Sequence, residues 1–343
     1  MILVKALTEQ ALFLDIETSG LHKQKDTIIS IGILSFDPQR QPIMKHWFLD
    51  KKEEEKSLLE SFLLFLSSYH TIYTYNGKGF DYPFLLSRMQ YYHLDTTPLL
   101  SLKLIDFKEY LKYFSRTRMT LEKMLNFKRQ SSTSGKNVIK LYRTYIDSHH
   151  MIYSDLIIRH QEDELRSLLA FYELYDMLFN FSNLKHLESK EIADTLTLTL
   201  QASTPFTYSF NGSAFDLHFS YQEGHDLLHL TLPLIHTSLR HYLEPCKDYY
   251  YIESQGQLMH KSLAQFIPTS LRRRATKEEC SVIKSSCYLK IYTTYKLTAS
   301  LWYDTNKEVY IELIDFSPDL LSTQIFCLFF RRDSKQNSKP STL

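Results

Sequence analysis

The chain is poor in the residues that staple small or extracellular folds. Its four cysteines, Cys246, Cys280, Cys287 and Cys327, lie far apart with no C-x-x-C pair. That spacing argues against a zinc ribbon and against a secreted disulfide framework, and leaves packing as their expected role. No run approaches the 18 apolar residues of a membrane-crossing helix, and the N-terminus lacks a basic region followed by a long apolar core. A soluble, cytoplasmic protein is the expectation. Over 343 residues the net charge is only +1, so the chain as a whole is drawn to neither sign of partner. Glycine is also scarce, with eight in all. Five of them (Gly20, Gly32, Gly77, Gly79, Gly135) fall where turns or close backbone approach are expected, and read as structural punctuation.

What is present is ample core material. With 43% hydrophobic residues, a chain of this length can form two compact domains. Residues 11–16, 27–36 and 43–49 read as β-runs separated by polar turns, which predicts an antiparallel meander. Leu58, Leu59, Phe62, Leu63, Phe65 and Leu66 recur at helical spacing within 53–68. A short buried strand at 71–75, a helix over 80–92 with Pro83 in its first turn, a strand near 102–105 and helical segments to 127 follow. The β-β-β-α-β-α-β-α order predicts an α/β mixed sheet with flanking helices. Residues 182–193 read as a linker or boundary. Alternating stretches at 195–200, 227–232, 288–295 and 309–314 predict a second, β-rich α+β domain over 194–330, with one or two helices around 260–276. The polar residues 331–343 are expected to be a disordered tail.

Chemistry concentrates in the first half. Phe13-Leu14-Asp15-Ile16-Glu17-Thr18-Ser19-Gly20-Leu21 puts two carboxylates two residues apart at the end of an apolar run. On a strand, i and i+2 share a face, so Asp15 and Glu17 can converge on one cation. Asp26-Thr27-Ile28-Ile29-Ser30-Ile31-Gly32 follows, and Tyr75-Asn76-Gly77-Lys78-Gly79-Phe80-Asp81 ends a later strand. Together these resemble the metal-dependent 3′→5′ exonucleases of the ribonuclease H-like superfamily, the DEDD or DnaQ-like group. The resemblance covers about 11–180 and is nearest to YprB-type proteins. It implies hydrolysis of phosphodiester bonds at single-stranded DNA or RNA ends. Two divalent cations, Mg²⁺ or Mn²⁺, would lie roughly 4 Å apart among carboxylates. Asp15, Glu17 and Asp81 are then metal ligands and catalytic residues, while Thr18, Leu21, Asn76 and Phe80 lie near the terminal nucleotide or support the acids.

The fourth acid departs from the pattern. Ile158-Arg159-His160-Gln161-Glu162-Asp163-Glu164-Leu165-Arg166-Ser167-Leu168 resembles the third motif of the same branch. Aligning His160 and Ser167-Leu168 puts Glu164 where the family has Asp; aligning by residue type chooses Asp163. If Leu165, Leu168, Leu169 and Tyr172 mark the buried face, Glu164 lies about 90° from its centre and Asp163 about 170°. Glu164 is therefore the expected ligand, with Asp163 facing solvent and His160 as a candidate general base.

Residues 103–143 carry eleven Lys and Arg against three acids, a candidate phosphate-binding surface whose bland alternative is a solvated helical face. The interleaved aromatics Phe107, Tyr110, Tyr113, Phe114, Phe127 and Tyr142 have the spacing of core residues. Arg272-Arg273-Arg274 with Lys277 reads as an exposed basic turn. Two functions compete: an exonuclease, and a nucleic-acid-binding protein that keeps the fold with a degenerate site. An endonuclease is a third, separable by cleavage of circular single strands.

Overall fold

A computed structural model describes residues 10–294 and 297–330. It opens on strands β1 (Ala11–Thr18), β2 (Ile28–Phe36) and β3 (Pro42–Phe48), then helix α1 (Glu55–Leu66), β4 (Thr71–Thr74), α2 (Asp81–Tyr91), α3 (Thr97–Leu100) and β5 (Lys103–Asp106). Helices α4 (Phe107–Leu111), α5 (Arg118–Met124), α6 (Gly135–Ser148) and α7 (Met151–Phe179) complete this half. The five strands form one sheet in the order β3-β2-β1-β4-β5. β1 pairs antiparallel with β2 and parallel with β4, which pairs parallel with β5. The expected meander and mixed sheet are both present.

Period-2 alternation on β1 decides what each face receives. Leu12, Leu14 and Ile16 enter a core with Leu59, Phe62 and Leu66 of α1 and Phe84 and Leu85 of α2. Phe13 points the other way and meets Tyr73, Phe107 and Tyr172 at ring separations of 5.2, 6.5 and 5.9 Å. Burying a side chain of that size contributes about 1.5–3 kcal/mol. Asp15 and Glu17 continue the Phe13 row, so the strand that builds the core aims its two acids toward α7.

The aromatics of 103–143 divide accordingly: Phe107, Phe114 and Tyr142 are buried, and Tyr113 is exposed. α7 differs from the amphipathic helix expected. It buries Ile157, Leu165, Glu173, Asp163 and Leu178, which at about 100° per residue are spread around its circumference, so it runs inside the unit and not across its surface.

The rest of the chain contributes β6 (Lys185–Ile192), β7 (Thr195–Gln201), β8 (Phe210–Ala214), β9 (Leu217–Tyr221), β10 (Leu227–Tyr242), β11 (Tyr249–Ile252), β12 (Gln257–His260), α8 (Lys261–Ala264), β13 (Arg272–Arg274), β14 (Ser281–Ile291), β15 (Trp302–Tyr303), β16 (Val309–Glu312) and α9 (Pro318–Phe330). The chain divides into two compact units, and 201–215 and 219–228 group with the first. In the second, β14-β16-β15-β10-β7-β6 are successive sheet neighbours, and β12-β11-β13 form a separate small sheet.

Residues 182–193, read as a linker or boundary, contain edge strand β6 over 185–192, whose eight residues are all exposed and so carry no apolar alternation to read. The one or two helices expected around 260–276 are present as the single turn α8 and a 3₁₀ turn at Thr269–Leu271. Arg273 of the basic turn is paired with Glu253 and Glu279. The tail expected at 331–343 lies outside the described residues.

Candidate functional site

Three devices aim the acids. The first is Asp106, whose side chain caps α4 by accepting from Lys108 N at 3.0 Å. It also accepts from the backbone N–H of Asn76 and Lys78 at 2.7 and 3.0 Å. Asn76 takes a left-handed φ of 66°, and a Cβ at Gly77 would lie 2.2 Å from Thr74 Oγ1. This tight turn starts α2 with Asp81 in its first turn. Asp81 Oδ1 then accepts from Ile16 N, at 3.2 Å, between the two acids of β1.

The second device is Gln161 of α7. Its Nε2 donates to Asp15 O at 3.0 Å, and its Oε1 accepts from Ser30 Oγ at 2.7 Å. A Cβ at Gly32 would meet this side chain at 2.6 Å, so α7 approaches β2 because residue 32 has none. The third device is Arg118, whose Nη1 is 2.5 Å from Glu164 Oε2 and 4.0 Å from Asp15 Oδ1. Its guanidinium lies over the rings of Tyr75 and Phe171.

Asp15, Glu17, Asp81, His160 and Glu164 are thus brought to one place. His160 Nε2 is 3.5 Å from Glu17 Oε1 and 3.7 Å from Glu164 Oε1. Burial, with Glu164 and Asp81 as negative neighbours, holds the Asp15 carboxyl well above the usual range. Burial and the charges of Asp15, Glu164 and Asp81 do the same to Glu17. Burial pushes Asp81 up to about 7. Among the described residues, the buried Asp15 Oδ2 has no hydrogen-bond partner. Glu164 goes the opposite way: despite burial, Arg118 and Arg129 hold its carboxyl below the usual range. Arg129 Nη1 reaches Glu164 Oε1 at 2.6 Å while its Nε and Nη2 grip Glu122. Burial lowers His160, so the imidazole is neutral near pH 7 and can accept a proton.

A divalent cation suits this donor set. Hard oxygen ligands, an unpartnered carboxylate oxygen and three acids held against their charge describe a centre short of positive charge. Asp15, Glu17 and Asp81 can hold such an ion; Glu164 faces the same cluster with two guanidiniums on it.

Asp163 overturns an expectation. It is fully buried, not solvent-facing, and Oδ2 accepts from Ser131 N at 2.7 Å. The wheel placed only one face of α7 against the sheet, whereas residues before α6 cover the opposite face. Thr18 is buried and donates to Gly20 O at 2.7 Å, Asn76 accepts from Lys108 Nζ, Phe80 packs on Phe84, and Leu21 is 78% exposed. Sequence reasoning missed Arg118, Arg129 and Glu122 as a connected group; the Arg118–Glu122 spacing of one helical turn was its visible trace. Of the basic segment, Lys103, Lys112, Arg116, Lys123, Lys128, Lys136, Lys140 and Arg143 are exposed, while Arg118 and Arg129 turn inward to the acids.

A model of the RNase_H superfamily matches residues 12–178, and this region has the ribonuclease H-like fold. Among solved structures, the family B DNA polymerase of the archaeon Pyrobaculum calidifontis aligns at 12% identity and TM-score 0.42, over 75% of this chain and 40% of that one. The zinc-bound E. coli ExoI–ssDNA complex aligns at 13% identity and TM-score 0.29, over 55% of this chain and 54% of that one. The chain therefore spans about half or less of these proteins' lengths. No curated protein sequence matches it. No helix among the described residues is long and apolar enough to cross a membrane.

Proposed function

We propose that the chain is a divalent-metal-dependent 3′→5′ exonuclease of the DEDD type, acting on single-stranded DNA or RNA. The observation that carries this reading is the trio Asp15, Glu17 and Asp81, with Glu17 and Asp81 buried and the half-buried Asp15 keeping a buried, unpartnered oxygen beside them. Bound there, Mg²⁺ or Mn²⁺ would activate water and stabilise the leaving 3′-oxygen. His160, neutral and beside both Glu17 and Glu164, is placed to take the proton from that water. The exposed cations of 103–143 are suited to phosphates of the strand. Leu21, exposed just beyond β1, offers an apolar surface to a terminal base.

A second reading, a nucleic-acid-binding protein with a weak or degenerate site, is favoured by one observation: Glu164 is already satisfied by Arg118 and Arg129. Degradation of 5′-labelled single-stranded DNA and RNA in Mg²⁺ and in Mn²⁺ separates the two, with Asp15→Ala plus Asp81→Ala as control. The exonuclease gives a ladder shortening from the 3′ end that the control lacks. Intact binding without cleavage, in either metal, moves the assignment to the second reading.

A further inference from the structure

The second unit holds a set of metal-ligating side chains with no part in the chemistry above. Glu191 near the end of β6, His236 on β10 and Cys287 on β14 each offer a ligand atom, and these atoms all lie within 4.8 Å of one another. We propose that Glu191, His236 and Cys287, with Asp194 as the fourth donor, form a zinc site.

The backbone builds most of it. His236 and Cys287 are directly opposite each other in the antiparallel β10–β14 register, so their side chains leave the same face. Cys287 Sγ lies 3.8 Å from His236 Nε2. Asp194 sits in the turn between β6 and β7, and its carbonyl accepts from Leu234 N at 2.8 Å, which fixes the turn beside β10. Its Oδ1 is 3.8 Å from the same His236 Nε2. Zinc–sulfur and zinc–nitrogen bonds of about 2.3 and 2.0 Å at a tetrahedral angle separate the donors by about 3.5 Å. The two edges at His236 Nε2, both 3.8 Å, are therefore a few tenths of an ångström longer than the edges of a coordination tetrahedron, and the Glu191 edges, within 4.8 Å, close on the ion by side-chain rotation.

The donor types choose the ion. One thiolate, one imidazole and carboxylates suit zinc or its substitute cobalt, and disfavour Mg²⁺ and Ca²⁺, which take oxygen. The place gives the ion a structural task. β6 is the edge strand, has no buried residue and, among the described residues, has β7 as its one sheet neighbour. An ion shared by Glu191, His236 and Cys287 would tie that edge to two further strands.

Titration of the full chain with Co²⁺, followed by absorption, tests this. One equivalent should give the intense d–d bands of a tetrahedral ion together with a thiolate-to-cobalt charge-transfer band, and Zn²⁺ should displace both. Cys287→Ser should abolish the charge-transfer band, and His236→Ala should weaken binding at least about 100-fold. The Asp15→Ala plus Asp81→Ala protein should keep the site unchanged, so the outcome is independent of the nuclease assignment. Absence of the charge-transfer band, its survival in Cys287→Ser, or undiminished Co²⁺ affinity in His236→Ala overturns the proposal. Far-UV circular dichroism verifies that each variant is folded, and His236→Ala decides if Cys287→Ser is not.

Discussion

Two groups of buried carboxylates within the first unit have opposite surroundings. Glu55 is fully buried, and its two oxygens accept from Ile28 N, Arg88 Nε, Arg88 Nη2 and Tyr92 OH, all within 3.0 Å. Glu17 and Asp81 are buried and Asp15 is half-buried, yet the Arg118 guanidinium stays 4.0 Å from Asp15 and serves Glu164. Taking a carboxylate out of water is costly in either place; four donors offset that cost at Glu55, whereas Asp81 has the backbone donor of Ile16 and Asp15 keeps an unpartnered oxygen among like charges. Glu55 is architecture; the Asp15 cluster lacks positive charge. Glu164 stands between the two, at the edge of the cluster but paired like Glu55.

The sharpest way to break this contrast is to neutralise one member of each group. Asp15→Asn should cut hydrolysis by about a thousandfold or more, since several kcal/mol of transition-state stabilisation go with a lost ligand. It should also raise the melting temperature of the metal-free protein, because repulsion among the acids falls. Glu55→Ala should do the reverse. It leaves Arg88 buried and unpaired, at about 3–5 kcal/mol of stability, while the folded fraction keeps its rate. Single-turnover rates and denaturant unfolding on both variants check this, and a destabilised Asp15→Asn would dissolve the distinction.

The contrast also sets a pH dependence. Asp81 has a folded pKa of about 7, above its ordinary value, and Asp15 and Glu17 are raised as well. The folded state then binds more protons than the unfolded state between about pH 4 and 7, so the metal-free protein loses stability as pH rises through that window. Every tenfold gain in a carboxylate's proton affinity on folding corresponds to about 1.4 kcal/mol, and Asp15 and Glu17 add to the loss from Asp81 in the same direction. A divalent cation requires the ionised acids, so its stabilising effect should grow over the same interval. Thermal unfolding from pH 5 to 8, with and without Mn²⁺, measures both; parallel curves would refute a metal centre at these residues.

What could be read from the chain follows from how local each signal is. The shared face of Asp15 and Glu17 was legible because strand alternation is a nearest-neighbour property, whereas Asp81 entered only through the resemblance of Asn76-x-x-x-Phe80-Asp81 to a family motif. Asp163 was misread because its exposure depends on residues near Ser131, some thirty positions away, which no helical wheel includes. Arg118 looked like surface charge for the same reason: its partners Asp15 and Glu164 arrive from a strand and a helix far apart in sequence. Cys287 and His236 meet only through strand register, and β6, exposed along its length, carried no alternation at all.

The smallest effect probes how the unpaired group is held in place. Gln161 links Asp15 O to Ser30 across β1 and β2, and it fits because Gly32 has no side chain. A methyl at position 32 would stand 2.6–2.8 Å from the Gln161 side chain, so Gly32→Ala must push Gln161 aside or lift α7 from the sheet. Overpacking of this kind costs about 1–3 kcal/mol. The Glu55–Arg88 pair lies outside that contact and should keep its stability contribution, whereas the acids should lose alignment, because Gln161 hangs from the same helix as His160 and Glu164. Gly32→Ala should therefore lower the hydrolysis rate by more than its loss of folded protein accounts for, and weaken Mn²⁺ binding with it. An equal loss in rate and in folded fraction would mean that Gln161 packs the helix without positioning the site.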